Sequence, residues 1–207
     1  MVKNIVLDFG HGGIDNNGHY TTAPAKMFKF PSGEIAYEGV INRQIGGILY
    51  HLLQSNHPEL NIEYTVKPDD PRDVSLGYRV RVANKYPASN TIFVSIHSNA
   101  GGGKGRGFEI FTTRGITKSD KLAEDIANEV EKLYKNVGLK LRYDFSDGDK
   151  DKEADFYVIR KTNCPATLLE CLFFDNVEDY SFLKNPKFQQ ELAFAIYNGI
   201  INYVKNN

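Results

Sequence analysis

Apolar positions along the chain alternate between two spacings. Ile5-Val6-Leu7-Asp8-Phe9 is a nearly continuous apolar run and reads as a buried strand. Ile41, Ile45, Ile48, Leu49, Leu52 and Leu53 then recur every three or four residues, which predicts a helix ending near Asn56-His57-Pro58. A short strand is expected at 61–66, and a weaker helix over 74–86 that Pro87 ends. The run Thr91-Ile92-Phe93-Val94-Ser95-Ile96-His97-Ser98-Asn99-Ala100 is a second buried strand, and 108–112 a third. Residues 119–135 place Leu122, Ile126, Val130 and Leu133 on one helical face. Phe156-Tyr157-Val158-Ile159-Arg160 and 166–172 read as short strands, and 186–204 as a closing helix. Three polar stretches read as loops: 14–37, the glycine-rich 101–107, and the charged 141–154.

Strands alternating with helices favour an α/β layered fold. With 207 residues, no internal repeat and no linker composition, residues 1–207 read as a single domain. The apolar share of 41% and charged share of 25% are those of a globular protein. A formal charge of −1 argues against a nucleic-acid partner. No apolar stretch reaches the roughly 18 residues that span a bilayer. Cys164 and Cys171 flank an expected strand, which would hold them on the order of 20 Å apart, so both are expected to be free thiols. The first strand begins within a few residues of Met1, so no secretory leader is expected. That suits either a protein released from the cytoplasm on lysis or a mature or excised secreted domain. A monomer is expected.

The candidate chemistry sits at strand ends. His11 follows the first strand in Gly10-His11-Gly12-Gly13, and His97 closes the Thr91 run. In open α/β sheets the carboxyl ends of the strands are where ligands bind. Two imidazoles there could supply two nitrogens to a catalytic zinc, which usually takes three protein ligands and keeps a fourth position for water. Glu38, at the start of the first helix, is the third candidate, with Glu34 in the preceding loop its nearest competitor. Either histidine alone could be a turn residue, and a glutamate at a helix start could simply face the macrodipole. His19, His51 and His57 lack comparable context and read as structural or surface residues. Glu170 is the one acid in the otherwise apolar 166–174, so it is either a salt-bridge partner or a base beside a metal. Asn99, with the loop after it, is a candidate substrate contact by position.

These segments together resemble the zinc-dependent N-acetylmuramoyl-L-alanine amidases of the amidase 3 type. The resemblance rests on Asp8-Phe9-Gly10-His11-Gly12-Gly13, Glu38 to Asn42, Ser95-Ile96-His97-Ser98-Asn99-Ala100 and Pro165 to Glu170. Arg79, Ala83-Asn84 and Phe156 to Arg160 follow in the expected order. The resemblance implies one Zn2+ held by His11, Glu38 and His97, with Glu170 as the catalytic carboxylate. It also implies an α/β fold with a mixed, mostly parallel central sheet and helices on both faces. The implied substrate is peptidoglycan or a muropeptide, cut between N-acetylmuramic acid and L-alanine. A zinc peptidase cutting within the stem peptide and a non-catalytic wall-binding module are the rival readings. Phe9 stands where the family has proline, and the interval from His11 to Glu38 is longer than usual. That insertion, with Tyr20, Met27, Phe28 and Phe30, could shape a substrate groove or be a packed surface excursion.

Overall fold

The apolar runs assemble into one central sheet in the computed structural model, which describes residues 1–146 and 148–207. Strand β1 (Asn4–Phe9) leads through a small hairpin, β2 (Met27–Lys29) and β3 (Ile35–Tyr37), into helix α1 (Glu38–Asn56). Then come β4 (Asn61–Tyr64), α2 (Leu76–Ala83), β5 (Thr91–Asn99) and β6 (Glu109–Thr112). The remainder is α3 (Lys118–Val137), β7 (Lys152–Glu153), α4 (Tyr157–Arg160), β8 (Ala166–Phe173), α5 (Val177–Leu183) and α6 (Pro186–Asn206).

The sheet order is β4-β1-β5-β8-β6-β7. Its first four strands are parallel, whereas β6 runs antiparallel to β8 and carries β7 parallel to itself. Because side chains alternate along a strand, the central strands feed two cores. Ile5, Leu7, Ile92, Val94, Ile96 and Leu169 pack with Ile45 and Leu49 of α1, Ile126 of α3 and Ile196 of α6. Val6, Phe93, Ala166 and Leu168 meet Val82 and Ala83 of α2 and Val158 and Ile159 of α4 on the opposite face. Burial on both faces explains why these strands read as continuous apolar runs. The expected mixed, mostly parallel sheet with helices on both faces is therefore present.

Local chemistry sets the helix ends. A capping box of Thr117 and Asp120 opens α3, and left-handed Gly138 closes it. Asn185 caps α6, with Pro186 in its first turn. The Ser75 side chain accepts from the Tyr78 N–H, so α2 starts later than the apolar pattern alone suggests.

Three expectations need correction, and one helix lies outside them. Phe156-Tyr157-Val158-Ile159-Arg160 is not a strand: Arg160 N donates to Phe156 O at 2.9 Å, and α4 packs Val158 and Ile159 on the sheet. The 14–37 stretch is not all loop, since it holds the β2–β3 hairpin turned at Gly33. The 141–154 stretch contains β7. Helix α5, capped by Asn176, was not anticipated. Cys164 and Cys171 are free and buried. Among the described residues, no helix is long and apolar enough to cross a membrane.

Candidate active site

His11 leaves β1 with φ +67°, a left-handed conformation that is costly for a residue with a β-carbon. Its neighbours hold it there. The Arg43 Nη1 donates to the His11 carbonyl at 2.6 Å, and Arg79 Nη1 to the Phe9 carbonyl, also at 2.6 Å. Arg79 is in turn fixed by Asp8 at 2.7 Å. Burial raises the proton affinity of Asp8, but Arg79, Ser95 and Thr65 more than offset it, so its pKa lies below the ordinary value.

Glu38 opens α1, whose N-cap residue, Tyr37, supplies no side-chain hydrogen bond. The first turn is completed from the 14–37 segment instead: the Gly39 N–H donates to the Tyr20 hydroxyl at 3.0 Å, and the Glu38 N–H to the Lys26 carbonyl at 3.0 Å. The same segment accepts the Gly12 N–H on Thr22 Oγ1 at 2.8 Å. The 14–37 segment thus braces the backbone beside both His11 and Glu38. One turn on, Asn42 donates to the Gly10 carbonyl at 3.2 Å and accepts from Ser98 at 3.1 Å.

These supports bring His11, Glu38 and His97 together, with one donor atom from each lying within 4.8 Å of the others. Glu38 Oε1 is 3.3 Å from His11 Nε2 and 3.0 Å from His97 Nδ1. Glu38 is sealed, while the two imidazoles keep 19% and 15% of their surface, so the cluster opens to solvent on the histidine side. Burial raises the Glu38 carboxyl, but His11 and His97 outweigh it and hold it well below the carboxylate range. His97 is raised although burial lowers it, because Glu38, Glu170 and Asp8 all favour its cation. Two nitrogens and one carboxylate form a donor set suited to zinc. Buried His11 Nε2 and Glu38 Oε2 also lack hydrogen-bond partners, as atoms that serve as metal ligands would. The residues fit such an ion. Glu34, the alternative third ligand, is instead paired with Lys184 at 2.9 Å.

Glu170 is the register partner of His97 on the neighbouring strand. Its Oε2 is buried without a hydrogen-bond partner, and burial, with a contribution from Glu38, pushes its pKa up to about 8. No salt bridge neutralises it among the described residues. Asn99 is turned toward the fold: its amide donates to Glu109 at 2.5 Å, and its Oδ1 accepts the Ala100 N–H. The glycine-rich loop is likewise pinned, by Asp175 at Gly101 and Gly103 and by Asp179 at Gly107. His19 and His51 are exposed, and His57 lies between Glu59 and Tyr197.

Sequence reading missed Lys26, whose ammonium is 3.5 Å from Glu38 Oε2, and the group of Glu109, Arg142 and Lys152 beside Glu170. Only the fold brings these distant positions together. The left-handed φ of +57° at Lys26 carries no signature in the residue itself.

A sequence model of the family described as N-acetylmuramoyl-L-alanine amidase, the amidase 3 type, matches residues 5–202. An uncharacterised cell wall amidase of Bacillus anthracis is 32% identical over 206 residues, covering 97% of this chain and 35% of its own length. The N-acetylmuramoyl-L-alanine amidase CwlM of Bacillus licheniformis is 34% identical over 200 residues, covering 97% and 68%. The crystal structure of an N-acetylmuramoyl-L-alanine amidase from Clostridium difficile 630 superposes with a TM-score of 0.77 at 27% identity, covering 100% of this chain and 98% of that one. The chain thus spans about a third of the first relative's length and about two thirds of the second's.

Proposed function

The chain belongs to the N-acetylmuramoyl-L-alanine amidase family, and from that premise we propose that it hydrolyses the amide joining the lactyl group of N-acetylmuramic acid to the L-alanine of a peptidoglycan stem peptide. His11, Glu38 and His97 are the residues that would hold one zinc ion, and Glu170 is the catalytic carboxylate. The observation that carries this reading is the convergence of those three donors with an unpaired Glu170 in register beside His97.

When bound, zinc supplies Lewis acidity, lowering the pKa of a water toward about 7 and polarising a carbonyl. The protein's own residues do the rest. Glu38 is fixed by α1 and by the insertion, so its Oε1 stays between the two imidazoles. Glu170 takes the proton of the attacking water and returns it to the nitrogen of the departing L-alanine. Glu170 is buried with an oxygen free of hydrogen-bond partners, and such a shuttle contributes roughly 10²–10⁴ in rate. The two imidazoles are the solvent-facing members of the cluster, so the substrate would approach from their side.

Two variants test the assignment together. Glu170→Gln should retain bound zinc while losing most cleavage of muropeptides, whereas His97→Ala should lose zinc by elemental analysis. Full cleavage by Glu170→Gln, or unchanged zinc in His97→Ala, would remove that residue from the proposed site.

A further inference from the structure

Three ionisable side chains lie side by side across the sheet, because His97 pairs in register with Glu170, and Glu170 with Glu109. Directly paired positions share a face, so Glu109 continues the row that begins at the candidate metal centre. The two acids are treated differently. Glu170 Oε2 has no partner, whereas Glu109, only 5% exposed, accepts from Asn99 Nδ2 at 2.5 Å, Arg142 Nε at 2.9 Å and Lys152 Nζ at 2.5 Å.

One carboxylate, Glu109, therefore orients two cations, of which Lys152 also faces Asp144. Arg142 is the exposed member, with 42% of its side chain open. Its backbone N–H is tied to the Phe108 carbonyl at 2.9 Å, and its guanidinium carbon lies 5.4 Å from the centre of the Phe173 ring. The Nε bond to Glu109 fixes the plane of the guanidinium. Among the described residues, neither Nη makes a hydrogen bond.

We propose that Arg142 is an anion-binding residue of the cleft that takes a carboxylate of the substrate's peptide; this rests on the amidase reading above. A guanidinium held through Nε presents the paired Nη edge, whose spacing matches the two oxygens of a carboxylate. The sugar side of the scissile amide is an uncharged N-acetylated glycan with its lactyl group, so the carboxylate must come from the stem peptide. A free carboxylate on the residue following L-alanine is the nearest candidate. Glu109 acts as the positioning residue, keeping Arg142 oriented while Lys152 and Asn99 keep Glu109 itself in place. A neutral carboxamide at the same point of the peptide would offer the Nη edge no charged partner.

The test compares two soluble muramoyl pentapeptides that differ only in a free α-carboxylate or a carboxamide on the residue after L-alanine. The wild-type protein should favour the carboxylate form by roughly tenfold to a hundredfold in kcat/KM, the range expected of hydrogen bonds to a charged group. Arg142→Gln should bring that ratio close to one, and Arg142→Lys, which keeps the charge but not the fork, should give an intermediate ratio. A wild-type ratio near one, or a ratio that Arg142→Gln leaves unchanged, overturns the proposal. Calorimetric titration of the same two peptides into both proteins reads the preference without cleavage. If the wild-type protein cuts neither peptide, the amidase reading fails, and the binding ratio still decides the role of Arg142.

Discussion

The ring of His97 occupies the space that a β-carbon on Gly10 would need: built there, that carbon falls 2.2 Å from the ring's Cε1. The glycine before His11 is thus required by the other histidine of the site. Gly39 makes a matching approach after Glu38, where a β-carbon would lie 1.9 Å from the Gly12 carbonyl oxygen. The strand end and the helix start are in backbone contact, and that contact sets the distance between the candidate ligands.

Gly10→Ala should therefore displace the His97 ring while leaving the two cores intact. Zinc affinity, read by competition with a chromogenic chelator, should fall about tenfold or more, with little change in the thermal unfolding midpoint of the metal-free protein. Unaltered affinity would mean that the ring is not held where a ligand must be.

Asp8 and Arg79 form a buried pair beneath His11. Asp8→Asn removes one partner and should cost about 3–5 kcal/mol in urea unfolding at pH 7. The pKa of Asp8 is lowered from its ordinary value of 3.8, so its stabilising contribution is present above that value and is lost as pH falls through the lower folded value. The stability gap between wild type and variant should be full at neutral pH and narrow below about pH 4. A gap independent of pH would contradict the pairing.

Tyr20 supplies the hydroxyl that accepts the Gly39 N–H. Tyr20→Phe keeps the ring packing and leaves that buried N–H without a partner, a loss of about 1–3 kcal/mol measurable by urea denaturation. A change within error would mean that the 14–37 segment does not brace α1.

Much of this was legible in the sequence because buried parallel strands and amphipathic helices write strong patterns. β1, β5, β8, α1, α3 and α6 follow from their apolar spacing, His11 and His97 from where two of those runs end, and Glu170 from being the one acid inside the apolar 166–174. Other features were not, for physical reasons. The apolar run Tyr157-Val158-Ile159 buries Val158 and Ile159 whether strand or helix, and so short a run has no period to decide between them. Helix α5 did carry a signal, the Asn176 cap followed by Glu178 and Asp179 in the first turn. The hairpin turn at Pro31-Ser32-Gly33 carried another. The grouping of Glu109, Asn99, Arg142 and Lys152 had none, because it depends on β6 running antiparallel beside β8. Its place at the start of the first helix favours Glu38 over Glu34, and in the structure Glu38 lies between the histidines while Glu34 pairs with Lys184.

Mass analysis of a peptidoglycan digest, with and without a zinc chelator, tests the central claim most directly. The account predicts intact stem peptides beginning with a free L-alanine amine, none of them when the chelator is present, and their return when zinc is restored. Fragments in which L-alanine stays on the muramic acid, or release that the chelator leaves untouched, would contradict it.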